Sequence, residues 1–319
     1  MDAAGFCTQS RVLIVAGKGG VGKTTVTAAV ARMAAHAGLT TLIVELEGKS
    51  GLGAAFGRAD PLTYEEVVLA AGGGPAGAAD VRARTLTPDD ALIEYLEDHG
   101  LRRVSRRLTA SGAIDVVATA VPGIKDILVL GKVKQLERAE AADLVVVDAP
   151  AAGHAVTFLT SASGLLDAVR VGPIRAQAVD VLELLRDPAR CQVLLVTLPE
   201  ETPVNEVVET AFKLEDRVGV ALGPVVVNGL YPAMDGLDAD PDDAAREADV
   251  GLRPGEADAL RAAARFRHDR MSLQAEQMQR LADALPLKQL RLPYLFTTEV
   301  RLPEVDVLAA SLATEVATL

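Results

Sequence analysis

The sequence predicts an α/β fold in which a mostly parallel sheet carries helices on both faces. Short runs rich in Val, Leu and Ile recur along the chain, and segments that favour helix lie between them. Apolar residues make up 50% of the 319 residues but aromatic residues only 3%, so the core is expected to be aliphatic. Strands that are buried on both faces of a parallel sheet have this composition.

A glycine-rich loop follows the first predicted strand, Arg11–Val15, and leads into a predicted helix, Val26–Ala37. Its glycines let backbone N–H groups approach phosphate oxygens without a Cβ in the way, and the start of the helix adds positive potential. In this pattern Lys23 reaches the β- and γ-phosphates and the Thr24 hydroxyl ligates Mg²⁺. The predicted nucleotide-binding residues of the loop are Gly17, Gly19, Gly20, Val21, Gly22, Lys23, Thr24 and Thr25.

The same glycines also fit a second kind of site. Gly17, Gly19 and Gly22 have the spacing of a dinucleotide-binding loop, for which Glu45 would supply the ribose-binding carboxylate. However, a nicotinamide site has no use for a lysine and a hydroxyl directly after the last glycine. The sequence therefore favours a phosphate-binding loop (P-loop), and we predict ATP and Mg²⁺ as its ligands.

A second lysine, Lys18, lies directly after the first glycine of the loop. Residues 17–25 resemble the deviant Walker A loop of a family of dimeric ATPases that includes arsenite-pump, tail-anchored-protein-targeting, division-site and plasmid-partition ATPases. In that family the early lysine crosses the dimer interface to the partner's nucleotide. The resemblance implies that Lys18 acts in trans, much as an arginine finger does, in a homodimer or in a heterodimer with a paralogous ATPase. A solvated loop charge is the alternative for Lys18.

Two carboxylates lie at and beyond the end of the second predicted strand, Thr41–Glu45. The targeting ATPases have an aspartate here that positions the attacking water, and the resemblance puts Glu47 in its place. Misplacing a catalytic group by about 1 Å can cost about 10²-fold in rate, so we predict slow hydrolysis, a re-sited water, or a subunit that binds ATP without turnover. Glu45 is a second candidate for the water. A role beside the magnesium ion or at the surface stays open for both.

We predict one P-loop ATPase domain over residues 1–319, with a mainly helical insertion over residues 57–136. Within this insertion, Ala59–Asp80 is expected to be a flexible surface insert and Val81–Thr85 a short strand. The run Ile114–Val121 belongs to the helical block. In the targeting branch such helices form the client groove. These helices lack methionine, so a helical layer over the core or a dimer surface is the alternative.

Asp143–Asp148 is the strongest predicted strand, and Asp148 ends it where a P-loop ATPase places the carboxylate that holds Mg²⁺ or its water. Residues 148–154 resemble the family's second switch at Asp148, Gly153 and His154, but alanines stand where the family has threonines. Gly153 is expected to donate its N–H to the γ-phosphate. For His154, structural and functional roles both stay open.

A further predicted strand, Val193–Thr197, precedes a predicted helix, Val204–Leu214. The segment between them resembles the family's proline–glutamate segment at the dimer interface. The resemblance implies that Glu200 or Glu206 approaches the partner's crossing lysine. Solvated acids at a helix start are the alternative.

The last third of the chain is predicted to hold the adenine side of the site. In the family, the asparagine that ends the next strand hydrogen-bonds adenine, and Asn228 fits that place, with a strand-to-turn asparagine as the alternative. Residues 231–285 are predicted to hold an acidic excursion, loop-like over Asp235–Asp249, and a long helix over 256–284. The remaining predicted elements are a strand Leu290–Tyr294, an adenine-side loop Thr298–Arg301 and a helix Val305–Leu319.

Charge and composition exclude several partners. The net charge is −12 and we find no basic patch, which argues against nucleic acid. No apolar run approaches the ~20 residues of a membrane span, so we expect no direct membrane insertion. Met1–Ser10 lacks the features of a signal peptide, and Cys7 and Cys191 are far apart in sequence; a reduced, cytoplasmic protein is expected.

The leading hypothesis is an ATP-binding, Mg²⁺-dependent, dimeric ATPase that couples nucleotide state to an unknown protein client or membrane partner. The alternative is a weakly hydrolysing or non-hydrolysing regulatory subunit that pairs with a paralogue, suggested by Glu47 and the missing threonines. An arsenite pump is disfavoured, because a soft metalloid needs a thiolate cluster and Cys7 is expected to lie in a mobile tail.

Overall fold

The computed structural model describes residues 1–46, 51–73, 77–98, 100 and 123–319. The strands are β1 Val12–Gly17, β2 Thr41–Leu46, β3 Val67–Ala70, β4 Val81–Leu86, β5 Leu144–Ala151, β6 Cys191–Thr197, β7 Ala221–Leu222, β8 Val225–Leu230 and β9 Gln289–Pro293. They form one nine-stranded sheet in the order β3-β4-β2-β5-β1-β6-β8-β9, with β7 paired to β6. Among the strands that the structure describes, only β3 and β4 pair in antiparallel fashion, so the predicted mostly parallel α/β fold is confirmed.

Helices cover both faces of this sheet. They are α1 Ala3–Cys7, α2 Lys23–His36, α3 Gly51–Ala55, α4 Pro88–Asp98, α5 Ile124–Arg138, α6 Ala152–Ala168, α7 Pro173–Arg186, α8 Glu201–Val218, α9 Pro241–Glu247, α10 Glu256–Ala284 and α11 Leu302–Val316. Ile14 faces a core that includes residues of α5 to α8, whereas Leu13 and Val15 face a second core that includes residues of α2 and α11. This two-sided cover explains why every residue of β1 is buried.

One edge of the sheet comes from residues 57–136, for which the sequence predicts mainly helices. Strand β3 lies within the predicted surface insert Ala59–Asp80 and forms the antiparallel edge. Strand β4 lies inside the sheet between β3 and β2. Its arginines are accommodated by neighbours: Arg82 pairs with Glu66 at 2.7 Å, and the Arg84 guanidinium lies 4.3 Å from the ring centre of Tyr64.

Two local expectations were wrong. The acidic stretch Asp235–Asp249, expected to be loop, contains α9, because Asp240 caps the helix by accepting from the N–H groups of Asp242 and Asp243. The N-terminal segment is not a free tail: α1 packs on the second core, and Cys7 is completely buried.

Some predictions fall outside the described residues, namely Glu47 in residues 47–50 and the run Ile114–Val121 in residues 101–122. Among the helices that the structure does describe, none combines the length and apolar character needed to cross a membrane.

Candidate functional site

The loop between β1 and α2 has a backbone path that demands glycine. Gly20 and Gly22 have φ angles of +88° and +89°, in the left-handed region that side chains disfavour. A Cβ on Gly17 would lie 2.3 Å from the carbonyl oxygen of Val196, and one on Gly22 would lie 2.4 Å from Nδ2 of Asn228. The loop is therefore a tight cradle. Because its glycines have no side chains, a ligand can approach the backbone closely.

Lys23 begins α2, and its side chain lies within the loop. Its Nζ donates to the carbonyl oxygen of Lys18 at 3.0 Å, and the residue is 8% exposed. The loop thus wraps around one ammonium group at the positive end of a helix. Such a combination suits an anion that several backbone N–H groups can contact together. Gly19, Val21 and Thr25 belong to the same loop and first helical turn, as predicted from the sequence.

A hydroxyl and a carboxylate meet beside the loop. The Thr24 hydroxyl donates to Oδ2 of Asp148 at 2.7 Å, and Asp148 is completely buried. The sheet sets this position, because β5 lies next to β1 with Asp148 opposite Val15, and Asp148 is also opposite Glu45 of β2. Hard oxygen donors of this kind fit Mg²⁺, which takes one or two protein ligands and completes its shell with phosphate oxygens and water.

Glu45 is also buried at this edge of the sheet, with 1% exposure. The hydroxyl of Thr85 on β4 donates to its Oε2 at 3.3 Å. Glu45 is therefore a carboxylate built into the sheet beside Asp148, and not a surface charge. Glu47 lies outside the described residues, so its role stays a prediction.

Asn228 ties β8 to the loop. Its Nδ2 donates to the carbonyl oxygen of Val21 at 2.9 Å. The residue predicted to contact adenine thus lies directly against the phosphate loop, where its amide also fills the space above Gly22.

The predicted crossing lysine contacts its own chain. Lys18 Nζ lies 2.7 Å from Oε1 of Glu206 on α8, with 34% and 40% of the two side chains exposed. Glu200, the other predicted interface acid, accepts from Arg270 of α10 at 3.2 Å. The family resemblance predicts Glu200 or Glu206 beside the lysine of a partner chain. It does not anticipate that Lys18 and Glu206, 188 residues apart, pair within one chain.

The second-switch residues lie at the start of α6. Gly153 and His154 are exposed there, and a Cβ on Gly19 would lie 3.8 Å from the Cβ of Ala151, so the switch segment approaches the loop. The charges of Asp126 on α5 and of His154 interact. Burial raises the pKa of Asp126 above its ordinary value, while the charge of His154 lowers it.

The site consists of a strand, a tight glycine loop and a helix, with a buried aspartate on the neighbouring strand. This arrangement defines the P-loop class of nucleotide-binding proteins. Sequence comparison is more specific. The profile of the anion-transporting ATPase family matches residues 10–171, and the chain belongs to that family. The resemblance found in the sequence is confirmed at this level.

Several characterised or catalogued proteins are similar over most of this chain. The ATPase BagA of Mycobacterium tuberculosis is 33% identical over 259 residues, which cover 79% of this chain and 72% of BagA. Protein Rv2184c of the same organism is 30% identical over 259 residues, or 72% of this chain and 61% of that protein. An arsenical pump-driving ATPase of Escherichia coli is 26% identical over 241 residues, or 69% of this chain and 40% of the relative. The family and the two relatives that are named as ATPases support an ATPase activity for this chain.

Proposed function

We propose that this chain binds ATP with Mg²⁺ at residues 17–25, hydrolyses it as a dimer, and uses its nucleotide state to control a protein partner. The observation that carries the nucleotide part is the pairing of the Thr24 hydroxyl with the buried Asp148 carboxylate at 2.7 Å, directly beside the glycine cradle. A buried carboxylate at this point has an evident use if it holds a metal ion against a bound phosphate.

The residues divide the work by their chemistry. Backbone N–H groups of the loop and the Lys23 ammonium bind the phosphates, and Thr24 with Asp148 holds Mg²⁺, which neutralises phosphate charge when bound. Asn228 recognises the adenine side, and the Gly153 N–H senses the γ-phosphate. Glu47 orients the attacking water, with Glu45 as the second candidate.

The dimer is proposed from Lys18. Its side chain is one third exposed and held by a single carboxylate, so it is free to exchange Glu206 for a phosphate oxygen of a partner's nucleotide. A cation delivered in trans would complete the charge neutralisation only when two nucleotide-loaded chains meet.

A second function has its own support. Glu47 stands in place of an aspartate, and residues 148–154 contain alanines where the family has threonines. Both differences weaken the groups that position water and sense the γ-phosphate. The second proposal is therefore a regulatory subunit that binds ATP, turns it over slowly or not at all, and pairs with a paralogue.

We do not propose an arsenical substrate, although relatives are named for arsenical pumps. Arsenite binds thiolates, and burial raises the pKa of both Cys7 and Cys191 to about 12. Neither thiol is a ready ligand in the folded chain.

The deciding experiment measures ATP turnover of the purified chain and its mass in solution with and without nucleotide. Lys23→Ala should abolish binding or turnover, and Lys18→Ala should abolish turnover while sparing ATP binding. Lys288→Ala, which removes an exposed lysine on another part of the surface, is the matched control. Normal hydrolysis by Lys18→Ala would refute the trans mechanism, and fast turnover by the isolated wild-type chain would refute the regulatory-subunit proposal.

A further inference from the structure

An open apolar groove lies between the acidic excursion and the first half of α10, away from the glycine cradle. Its volume is about 480 Å³. Its apolar lining includes Met234, Leu237, Val250, Leu252, Leu260 and Ala264. We call it the excursion groove, and we propose that it docks a basic amphipathic helix of a partner protein.

The walls of the groove are apolar but exposed. Met234 is 53% exposed, Val250 58% and Leu260 48%, and the nearby Phe266 is 62% exposed. Helix α10 explains why, because its buried residues, Gln274, Gln277 and Leu281, all lie in its C-terminal half. Its first half packs on α9 and leaves apolar side chains in water. Contiguous exposed apolar surface with a polar rim is typical of an interaction site.

The segment that borders the groove, residues 235–258, is strongly negative, and we call it the acidic rim. Residues 235–258 contain nine acidic residues and two arginines. Arg261 neutralises part of this charge by pairing with Asp240 and Asp258, each at 3.0 Å. Asp235 lines the groove itself, together with one cation, Arg267, and Asp238 lies between two of the lining residues in sequence. An acidic rim around an apolar floor selects a ligand that has apolar anchors and positive charge.

These properties favour one occupant. A second copy of this chain would bring the same acidic rim against this one, and like charges across an interface oppose association. A small apolar molecule would leave the acidic rim without a counterpart. An amphipathic helix with Leu-like anchors at i, i+3, i+4 and i+7 and with Lys or Arg on its flanks satisfies both the floor and the rim.

The groove is connected to the nucleotide site through α10. Arg267 lines the groove, donates to the carbonyl oxygen of Pro232 at 2.6 Å and lies 5.5 Å from the ring centre of Tyr231. Gln274 then binds the backbone that directly follows Asn228, accepting from the Tyr231 N–H at 2.9 Å and donating to the Gly229 carbonyl at 3.0 Å. The idea that bound nucleotide controls docking at the groove rests on the proposed function. The docking of a helix in the groove does not.

The test uses the full chain and a defined probe. A fluorescein-labelled helical peptide of leucine and lysine, with leucines at the spacing above, is titrated with the protein and followed by fluorescence anisotropy, without nucleotide. We expect binding that Leu260→Gln or Val250→Gln weakens about tenfold or more. Val307→Gln is the matched control, because Val307 is 53% exposed on α11 and lies outside the groove. Denaturant unfolding of each variant verifies that the fold is kept.

A second arm tests the charge. The double variant Asp235→Asn, Asp238→Asn should weaken binding and reduce its dependence on salt, whereas Glu65→Gln, an exposed acid at the other edge of the sheet, should not. A peptide of leucine and glutamate with the same spacing should not bind.

Four results would overturn the proposal. They are no binding of the leucine–lysine peptide by the wild-type chain, equal binding by Leu260→Gln and Val307→Gln, equal binding of the leucine–glutamate peptide, and a wild-type dimer in sedimentation equilibrium that Leu260→Gln dissociates. The last would assign the groove to a second copy. The variant Lys23→Ala should lose ATP binding and keep the groove, so it should still bind the peptide. Its behaviour separates the docking proposal from the proposed ATPase function.

Discussion

Lys18 Nζ lies 2.7 Å from Glu206 Oε1, so the lysine predicted to serve a partner's nucleotide is held by its own chain. With 34% and 40% of the two side chains exposed, water screens the pair, and such pairs contribute about 0.2–1 kcal/mol. An interaction this weak holds Lys18 in a defined place, and a phosphate oxygen can replace the Glu206 carboxylate at little cost. In the dimer mechanism that we propose, this pair is the resting position of Lys18 before it meets the partner's nucleotide.

Glu206→Gln tests the resting position. Removing the carboxylate should lower the protein concentration needed for half-maximal ATP turnover by up to about fivefold, the equivalent of 1 kcal/mol. Turnover per chain is measured as a function of protein concentration at saturating ATP. Glu209→Gln is the control, because Glu209 lies on the same helix and pairs with Lys213 instead. If Glu206→Gln loses turnover as completely as Lys18→Ala, then Glu206 acts in the assembled dimer and not as a restraint on the free chain.

Glu47→Asp tests the first switch. Shortening the side chain restores the family's carboxylate, so the hydrolysis rate at saturating ATP should rise by up to about 10²-fold. The Michaelis constant for ATP should change little, because the residue is expected to act on water and not on the nucleotide. Glu45→Asp is the comparison, since the buried Glu45 is the alternative base. A gain from Glu45→Asp together with none from Glu47→Asp would assign the water to Glu45.

The parts of the site that the fold topology determines were accessible from sequence. A glycine loop after β1 and an acid at the end of the apolar strand Asp143–Asp148 predict that Thr24 and Asp148 meet, because adjacent parallel strands end at the same edge. The structure puts their side-chain oxygens 2.7 Å apart. Asn228 was selected from the family resemblance, and the structure shows its amide in contact with the loop.

Contacts that depend on packing between distant segments were not accessible. Glu200 and Glu206 were equal candidates, and only the position of α10, which brings Arg270 to Glu200, separates their roles. In the acidic stretch Asp235–Asp249, charge suggested loop, but Asp240 provides an N-cap that outweighs it. Strand β3 was missed because it is only four residues long, Val67–Ala70, and the glycine run that follows it at Gly72 suggested a flexible insert.

The two thiols give a prediction about pH. Burial raises the pKa of Cys7 and Cys191 to about 12 from 9.0, so at pH 8 the folded chain holds about 10⁻⁴ of each as thiolate. Reaction with Ellman's reagent should be at least about 10³-fold slower in the native chain than in guanidinium. Because the folded pKa is the higher one, the thiols cost no stability below pH 9, and the free energy of unfolding should fall as pH rises from about 9 towards 12. Fast labelling of either cysteine in the native chain would contradict the burial and reopen arsenite binding.

Gln274 joins α10 to the strand end that carries Asn228. Replacing it should therefore affect both the stability of the chain and its binding of ATP. Gln274→Met keeps the volume of a side chain that is 4% exposed but deletes the bonds to the Gly229 carbonyl and the Tyr231 N–H. Leaving these groups without a partner should lower the free energy of unfolding by about 1–3 kcal/mol. It should also weaken ATP binding, because the backbone after Asn228 loses its support. Gln279→Met, an exposed glutamine on the same helix, should change stability by no more than about 0.5 kcal/mol. Urea unfolding and a titration with fluorescent ATP measure the two effects; a stability loss with unchanged ATP affinity would mean that α10 is anchored at this point without reporting on the nucleotide.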